Sequence, residues 1–193
     1  MAWLVAGLGN PGERYANTRH NIGSMVAMVM AERSSERFRK VRFIPLDVAE
    51  VRVDDDAVYL ATSHRYMNEA GPSYASFAKK RDVGADHLIA VHDDIDLAFG
   101  ALKVKLGGSS AGHNGLKSLQ SALGTPEFLR VRLGVGRPPG RQDAADFVLD
   151  PFAKREQADV DVLIEEAADA ALSLVREGLV ATQDRYNRGG ADS

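Results

Sequence analysis

The sequence predicts an α/β protein: a single-domain three-layer sandwich in which a mixed, mostly parallel twisted sheet is flanked by helices. Short apolar runs typical of strands alternate along the chain with segments that repeat apolar residues at helical spacing. The 193 residues suit one domain with one core, and no linker-like stretch or internal repeat divides them. We therefore expect a single domain over residues 1–193.

Six apolar runs indicate strands. They are residues 3–8, 49–53, 58–62, 88–91, 102–106 and 129–135. Three aspartates, Asp54 to Asp56, separate the second run from the third and are typical of a turn, which predicts one antiparallel hairpin in a largely parallel sheet.

Four segments with apolar residues at helical spacing lie between or after these runs. They are residues 22–33, 73–80, 116–123 and 154–177. Gly178 follows the last segment at the position where a helix commonly ends. Residues 138–150, rich in Gly, Pro and charge, are a candidate lid.

Composition excludes several classes of protein. With no cysteine, disulfides, thiol catalysis and cysteine-based zinc sites are excluded. No apolar stretch approaches the ~20 residues needed to cross a bilayer. The apolar run at residues 3–8 is too short for a signal peptide, so we expect a cytoplasmic protein that does not bind membranes.

Charge is unevenly distributed in a chain whose net charge is only −3. Residues 101–141 carry a net charge of +6, whereas residues 142–169 carry −7. A basic segment of this kind favours a surface that binds a polyanion. Solvated charges on unrelated surfaces explain the same numbers equally well.

Gly7-Leu8-Gly9-Asn10-Pro11-Gly12 matches the glycine pattern of dinucleotide-binding proteins, but its context does not. In such proteins the third glycine opens a helix, and an acid about 20 residues on binds the ribose. Here a polar stretch follows Gly12, and Glu32 lies within a predicted helix. We expect the glycines to form a sharp turn and to permit a close approach at the end of the first strand.

Uncommon polar groups follow the carboxyl ends of most predicted strands, where open α/β folds place their sites. They are Asn10, His20-Asn21, Met67-Asn68, His92-Asp93-Asp94 and the glycine-rich loop 107–115. Each one alone is typical of a turn or a cap, but their repetition favours a site. His87, His92, Asp94 and Asp96 suggest a metal site, although their spacing matches no recognised signature. The sequence contains no G-x-S-x-G motif, so it gives no support for acyl-enzyme chemistry.

Several motifs in order resemble the bacterial peptidyl-tRNA hydrolase family. They are V-A-G-L-G-N-P-G-E-R-Y-A-N-T-R-H-N-I-G, Y-M-N-E-A-G, H-D-D-I-D-L, K-L-G-G, G-H-N-G-L-K-S-L and L-R-V-R-L-G-V-G-R-P, and they span residues 3–138. The resemblance implies a monomeric enzyme that needs no metal or cofactor. Its reaction hydrolyses the ester between a peptide and the 3′-terminal ribose of tRNA.

The resemblance also implies roles for particular residues. His20 is the expected catalytic base and Asp93 its carboxylate partner, which fits an imidazole that titrates near neutral pH. Asn10, Asn68 and Asn114 are expected to hold the peptidyl-adenosine end, with Asn10 discriminating peptidyl from free aminoacyl ends. Tyr15, Tyr66 and Met67 are the expected walls.

In this interpretation the basic segment contacts tRNA phosphates. The candidate contacts are Lys103, Lys105, Lys117, Arg132 and Arg137. The family is associated with a clamp for the 5′-phosphate, for which we expect Lys105 together with Arg132 or Arg137.

The chain departs from the family pattern at residues 63–65, at Ala70 and at Ala111, which bears on loop rigidity and on the grip on substrate. A non-catalytic RNA-binding relative is the first alternative function. A nucleotide-dependent enzyme is the second, and it requires measurable binding of NAD or ATP.

Overall fold

The computed structural model describes residues 1–187 and contains a seven-stranded mixed sheet with helices on both faces. The strands are β1 Ala2–Gly7, β2 Arg39–Lys40, β3 Leu46–Val53, β4 Asp56–Ser63, β5 Leu88–Asp94, β6 Leu102–Leu106 and β7 Leu129–Gly134. The helices are α1 Ile22–Arg33, α2 Gly71–Lys80, α3 Asn114–Leu123, α4 Ala144–Val148, α5 Gln157–Glu177 and α6 Leu179–Tyr186. The predicted single domain includes residues 188–193, which lie outside the described residues.

The strand order is β2-β3-β4-β1-β5-β7-β6. The four inner strands β4, β1, β5 and β7 are parallel to one another, whereas β2, β3 and β6 pair antiparallel at the two edges. The predicted mixed sheet is thereby confirmed. The turn of aspartates does join β3 to β4, but the expectation of one antiparallel hairpin was incomplete, because β2 also pairs antiparallel with β3 and β6 with β7.

The sheet separates two apolar layers. On one face, residues such as Val5, Val91 and Val131 pack against α1 and α5. On the other face, residues such as Leu4 and Ala90 pack against α2 and α3. This arrangement is the three-layer sandwich expected from the alternation of strand and helix patterns.

Glycines at the end of β1 and in the first turn of α1 bring this helix against the sheet. A Cβ atom on Gly23 would lie 2.0 Å from the carbonyl oxygen of Val91, and one on Gly7 would lie 2.6 Å from that of Gly23. Helix α1 begins at Ile22, well after Gly12, so the third glycine of the motif opens no helix. The expected close approach at the strand's end is made by α1.

Helix ends differ in places from the sequence prediction. The helix expected over 22–33 is confirmed, and Gly178, at φ +83°, ends α5 as expected. Short helix α4 lies inside the candidate lid segment, and α6 follows Gly178 directly; neither was predicted. Among residues 1–187, no helix combines the length and apolar character needed to cross a bilayer.

Candidate active site

A cavity of about 390 Å³ opens at the carboxyl ends of the inner parallel strands. Predicted site residues that line it are Asn10, His20, Tyr66, Met67, Asn68, Asp93, Lys105, Asn114 and Arg132. The remaining predicted residues, Tyr15, Lys103, Lys117 and Arg137, lie outside its lining. The structure thus gathers in one place side chains that are far apart in the sequence.

His20 and Asp93 form the most tightly connected pair in the cavity. His20 lies in a one-turn 3-10 helix just before α1, and Asp93 lies near the end of β5. The imidazole Nδ1 atom is 2.9 Å from Asp93 Oδ2 and 3.0 Å from Oδ1. Donation from Nδ1–H to this carboxylate leaves the lone pair on Nε2, which is the atom that can accept a proton.

His113 is a second histidine on the same carboxylate. Its Nε2 atom is 2.8 Å from Asp93 Oδ1, and its Nδ1 atom accepts from the backbone N–H groups of Gly115 and Leu116. Since Nδ1 accepts two hydrogen bonds at the start of α3, the ring proton lies on Nε2 and is donated to Asp93. His113 therefore caps a helix and orients the carboxylate at the same time.

Burial and charge shift the pKa values of this pair in opposite directions. Burial by itself would lower the pKa of His20, but the charge and hydrogen bond of Asp93 outweigh it and raise this pKa above its ordinary value. Burial would likewise raise the pKa of Asp93, yet His20 and His113 hold it well below its usual range. Asp93 therefore remains a carboxylate at neutral pH, and His20 titrates above 6.5.

His92 is the third histidine in this region and differs from the other two. Its Nδ1 atom is 2.7 Å from the carbonyl oxygen of Asp93, and no partner for its Nε2 atom is found within residues 1–187. Burial, followed by the nearby His113, lowers the pKa of His92 to about 3. His92 therefore stays neutral throughout the physiological range and packs edge-on against the His113 ring.

Asn10 is held in a single orientation. Its Oδ1 atom accepts a hydrogen bond of 2.7 Å from the backbone N–H of Met67. The side chain of Asn21 bonds both backbone groups of Asn10, accepting at 2.9 Å and donating at 2.8 Å. Because Oδ1 is already used, Asn10 presents its Nδ2 donor group to a ligand.

The predicted walls occupy different depths. Met67 is buried beneath the cavity, and Tyr66 is 54% exposed at its rim. Tyr15 meets the Tyr66 ring edge-on at a centroid distance of 6.3 Å, so it supports the wall from behind. Asn68 lies in a one-turn 3-10 helix and Asn114 is the first residue of α3; both are exposed and line the cavity.

Basic groups line the side of the cavity formed by β6 and β7. The antiparallel register places Lys103 opposite Arg132 and Lys105 opposite Arg130. Partial burial and the neighbouring Arg132 and Arg130 lower the pKa of Lys105. Arg132 donates to Asp94 at 2.9 Å, whereas exposed Arg137, which does not line the cavity, pairs with Asp96. Of the two clamp combinations, Lys105 with Arg132 is the one that shares the cavity.

Two buried arginines brace the loops around the cavity. Arg130, fully buried, donates to the carbonyl oxygens of Ser109 at 2.7 Å and Gly108 at 2.8 Å, in the loop that leads to His113. Arg19, next to the histidine of the pair, donates to the carbonyl oxygens of Phe147, Asp150 and Pro151 and to Glu156. The contacts of Arg19 hold the segment that contains α4 in place.

Several residues that line or brace the cavity were not identified from the sequence. His113 occurs in the quoted G-H-N-G motif, but its contact with Asp93 depends on the approach of α3 to β5 and leaves no local signal. Arg130 and Arg19 resemble surface cations in the sequence. One wall is formed by α4 and the next residue, namely Ala144, Ala145, Val148 and Leu149, in a segment that shows no helical period.

The suggested metal ligands are dispersed in the structure. His87 packs against Trp3 and pairs with Asp86, while Asp94 and Asp96 each bind an arginine. A different set, His20, Asp93 and His113, has ligand atoms within 4.8 Å of one another. However, the two contacts of Asp93 use the ring protons of both histidines, and a metal would displace these protons. These three side chains thus fit a hydrogen-bonded network better than a metal site.

Comparisons with known proteins agree on one family. The family model described as peptidyl-tRNA hydrolase matches residues 4–192. A peptidyl-tRNA hydrolase of Nocardia farcinica is 50% identical over 95% of each chain, and one of Mycobacteroides abscessus is 48% identical over 98% of this chain and 96% of the relative. The crystal structure of peptidyl-tRNA hydrolase from Acinetobacter baumannii superposes with a TM-score of 0.90 at 28% identity, covering 97% of this chain and 95% of that one.

The histidines are expected to titrate separately. In NMR titrations of the ring resonances, His20 should show a pKa above 6.5, and Asp93→Asn should lower it because the charge that favours the imidazolium is removed. His92 should remain neutral at pH 5 in both proteins. A pKa of His20 that does not change in Asp93→Asn would contradict the assigned electrostatics.

Proposed function

The chain belongs to the peptidyl-tRNA hydrolase family, and we propose that its cavity cleaves the ester between a peptide and the 3′-terminal ribose of tRNA, with His20 as the general base. The observation that carries this proposal is the contact of His20 Nδ1 with Asp93, a buried carboxylate that stays charged. This contact leaves Nε2 unprotonated in the neutral ring. Nε2 can therefore accept a proton, which is the role of a general base. An ester and a water molecule complete the set of reactants.

In the proposed reaction, His20 Nε2 takes a proton from a water molecule as the water oxygen attacks the ester carbonyl. The imidazolium that forms is stabilised by Asp93, which accepts the hydrogen bond from Nδ1–H while the proton stays on Nδ1. Collapse of the tetrahedral intermediate breaks the bond to the ribose oxygen, and the imidazolium returns its proton to that oxygen. The products are a free peptide and a free tRNA, and the balance requires no metal or cofactor.

His113 is proposed as a positioning residue in this reaction. Its second ring nitrogen is occupied by the start of α3, so it can donate to Asp93 but has no lone pair left with which to accept the water's proton. Two imidazoles therefore contact one carboxylate, and only His20 retains a free lone pair. This difference supports His20, rather than His113, as the base.

Asn10 is proposed to recognise the peptide bond next to the ester. A peptidyl end presents a carbonyl oxygen, which accepts from the Nδ2 group that Met67 holds in place. A free aminoacyl end presents an ammonium group instead, and a donor facing a cation gains nothing. Asn68 and Asn114 are proposed to hold the terminal nucleotide and peptide from the two sides of the opening.

The remaining predicted features are proposed on weaker contacts. Lys105 and Arg132 are the proposed 5′-phosphate clamp, with Lys103, Lys117 and Arg137 contacting phosphates farther out. Residues 138–150 are the proposed lid, supported by the position of α4 on the cavity wall. We also propose a monomer that acts in the cytoplasm, as the resemblance implies.

Substitution of the base separates chemistry from binding. His20→Ala should lower kcat for a peptidyl-tRNA by about 10²–10⁴-fold, the usual contribution of a general base, and leave the affinity for tRNA within about twofold. Single-turnover cleavage and equilibrium binding measure the two effects. Undiminished cleavage would disprove the assignment of the base. A wild-type protein that binds tRNA but never cleaves it would instead indicate the non-catalytic relative.

Asn10→Asp tests discrimination between peptidyl and aminoacyl ends. The substitution retains an oxygen for the Met67 N–H and replaces the Nδ2 donor with an acceptor, which disfavours a carbonyl and favours an ammonium group. The ratio of turnover rates for N-acetyl-aminoacyl-tRNA and unblocked aminoacyl-tRNA should fall by at least about tenfold, the effect of one hydrogen bond to a charged group. Asn17→Asp, exposed in the same loop, is the matched control. An unchanged ratio assigns discrimination to another residue.

Lys105→Gln tests the clamp. Loss of one phosphate contact should weaken tRNA binding and reduce the slope of log affinity against log salt by about 1. Lys154→Gln removes the same charge from an exposed position outside the cavity and should leave the slope unchanged. If neither affinity nor slope changes in Lys105→Gln, the clamp lies elsewhere.

A further inference from the structure

A second basic surface lies at the opposite end of the sheet from Lys105. It is a groove of about 610 Å³ between β2, β3 and the end of α2, here called the β2 groove. Five arginines and two lysines line it against two glutamates, a net charge of +5 in a protein whose total is −3. These cations lie in residues 37–42, at Arg52 and at Lys80–Arg81.

The cations of the β2 groove are available to a ligand. All seven are exposed, and within residues 1–187 none of them forms an ion pair with a carboxylate. By contrast, the exposed arginines on the opposite face of the molecule are paired: Arg33 with Glu165 and Asp169, and Arg185 with Glu177. Seven cations gathered around only two carboxylates, with which they form no ion pair, repel one another, so a bound polyanion would relieve that repulsion.

Aromatic rings form part of the surface beneath these cations. The Arg81 guanidinium lies 5.0 Å from the centre of the Tyr59 ring and 5.7 Å from that of Phe77, and Arg42 lies 4.7 Å from that of Phe43. Stacking limits the motion of a guanidinium while leaving its N–H groups free to donate. Arginines held in this way suit phosphate oxygens, which accept two hydrogen bonds from one guanidinium.

A third, shallow depression is lined by residues that adjoin, in the sequence, the linings of both the cavity and the β2 groove. Tyr66 lines the cavity, and the preceding residue, Arg65, lines a shallow depression together with Phe43. Arg42, next to Phe43, lines the β2 groove itself. Four strand spacings of ~4.8 Å separate β2 from β5, so the groove lies about 19 Å across the sheet from Asp93. A substrate larger than its reacting end can contact both places.

We propose that the β2 groove binds the phosphate backbone of the tRNA substrate outside its 3′-terminal nucleotides. This inference rests on the proposed function and adds a docking surface that is separate from the catalytic cavity and from the basic segment at β6 and β7. Uniform positive charge with few hydrogen-bonding amides matches a backbone and provides no means of reading bases. Recognition here is by charge and shape.

The test uses a groove variant that carries two substitutions on different elements, Arg39→Gln and Lys80→Gln. A separate control variant carries Arg176→Gln and Arg185→Gln, which remove the same charge from the other face. Two substrates are compared: a full-length N-acetyl-aminoacyl-tRNA and the same ester on a trinucleotide of the tRNA 3′ end. For the groove variant we expect KM for the full-length substrate to rise about tenfold at low salt, with kcat unchanged. The salt slope for tRNA binding should fall by about 2.

The trinucleotide substrate should be cleaved equally well by wild type, groove variant and control. Equal KM values for the full-length substrate in groove variant and control overturn the proposal, as does an equal rise of KM for both substrates. If the wild type cleaves neither ester, the proposed function fails instead. Equilibrium binding of unacylated tRNA then still tests whether the groove binds tRNA. An unchanged affinity and an unchanged salt slope in the groove variant would reject the proposed docking surface.

Discussion

The buried carboxylate of Asp93 is the constraint on which the site depends. An isolated charge at 3% exposure would be strongly unfavourable, so the carboxylate must receive hydrogen bonds from groups that come to it through the fold. His20 arrives from the start of α1 and His113 from the start of α3, on helices that pack against opposite faces of the sheet. The hydrogen bonds that stabilise this buried charge also define the tautomers of both rings. The same contacts therefore stabilise the core and leave Nε2 of His20 able to accept a proton.

Close approach of the helices is what makes those contacts possible. Gly23 lies against the carbonyl of Val91, two residues before Asp93, and this approach puts His20 within hydrogen-bond distance of the carboxylate. On the other face, Gly71 lies against the backbone of Ser118 and brings α2 and α3 together. A side chain at either position would push a helix outward and lengthen the hydrogen bonds to Asp93. In the G-x-G-x-x-G stretch, Gly7 and Gly9 likewise lie against residues at the start of α1, whereas Gly12 has open space around it and adopts φ +94°, so it serves the turn.

The fold was largely predictable because periodicity in the sequence reports burial directly. Strands such as β6 and helix α1 match their predicted bounds, since each buries one regular face. The two-residue β2 and the short helix α4 escaped prediction because neither is long enough to show a period. Within the site, His20 and Asp93 were identified by resemblance, whereas the contribution of His113 depends on a contact between distant elements. Arg130 is fully buried among carbonyl oxygens, which composition alone would not suggest for an arginine.

The loops that border the cavity differ in kind from the core beneath it. Apolar packing holds the strands, whereas residues 107–113 contribute few apolar side chains and are held by Arg130 through backbone carbonyls. Arg19 holds residues 147–151 through backbone carbonyls as well, beside the buried side chains of Phe147 and Val148. A carbonyl accepts from a guanidinium whatever its side chain is, so such a brace constrains the path of a loop without constraining its sequence. Departures from the family pattern such as Ala111, which adopts φ +47° in the first loop, can thus be accommodated while His113 stays in place. Because the bracing hydrogen bonds use backbone carbonyls, the exposed side chains of these loops can differ in their contacts with substrate while the hydrogen bonds to Asp93 stay the same.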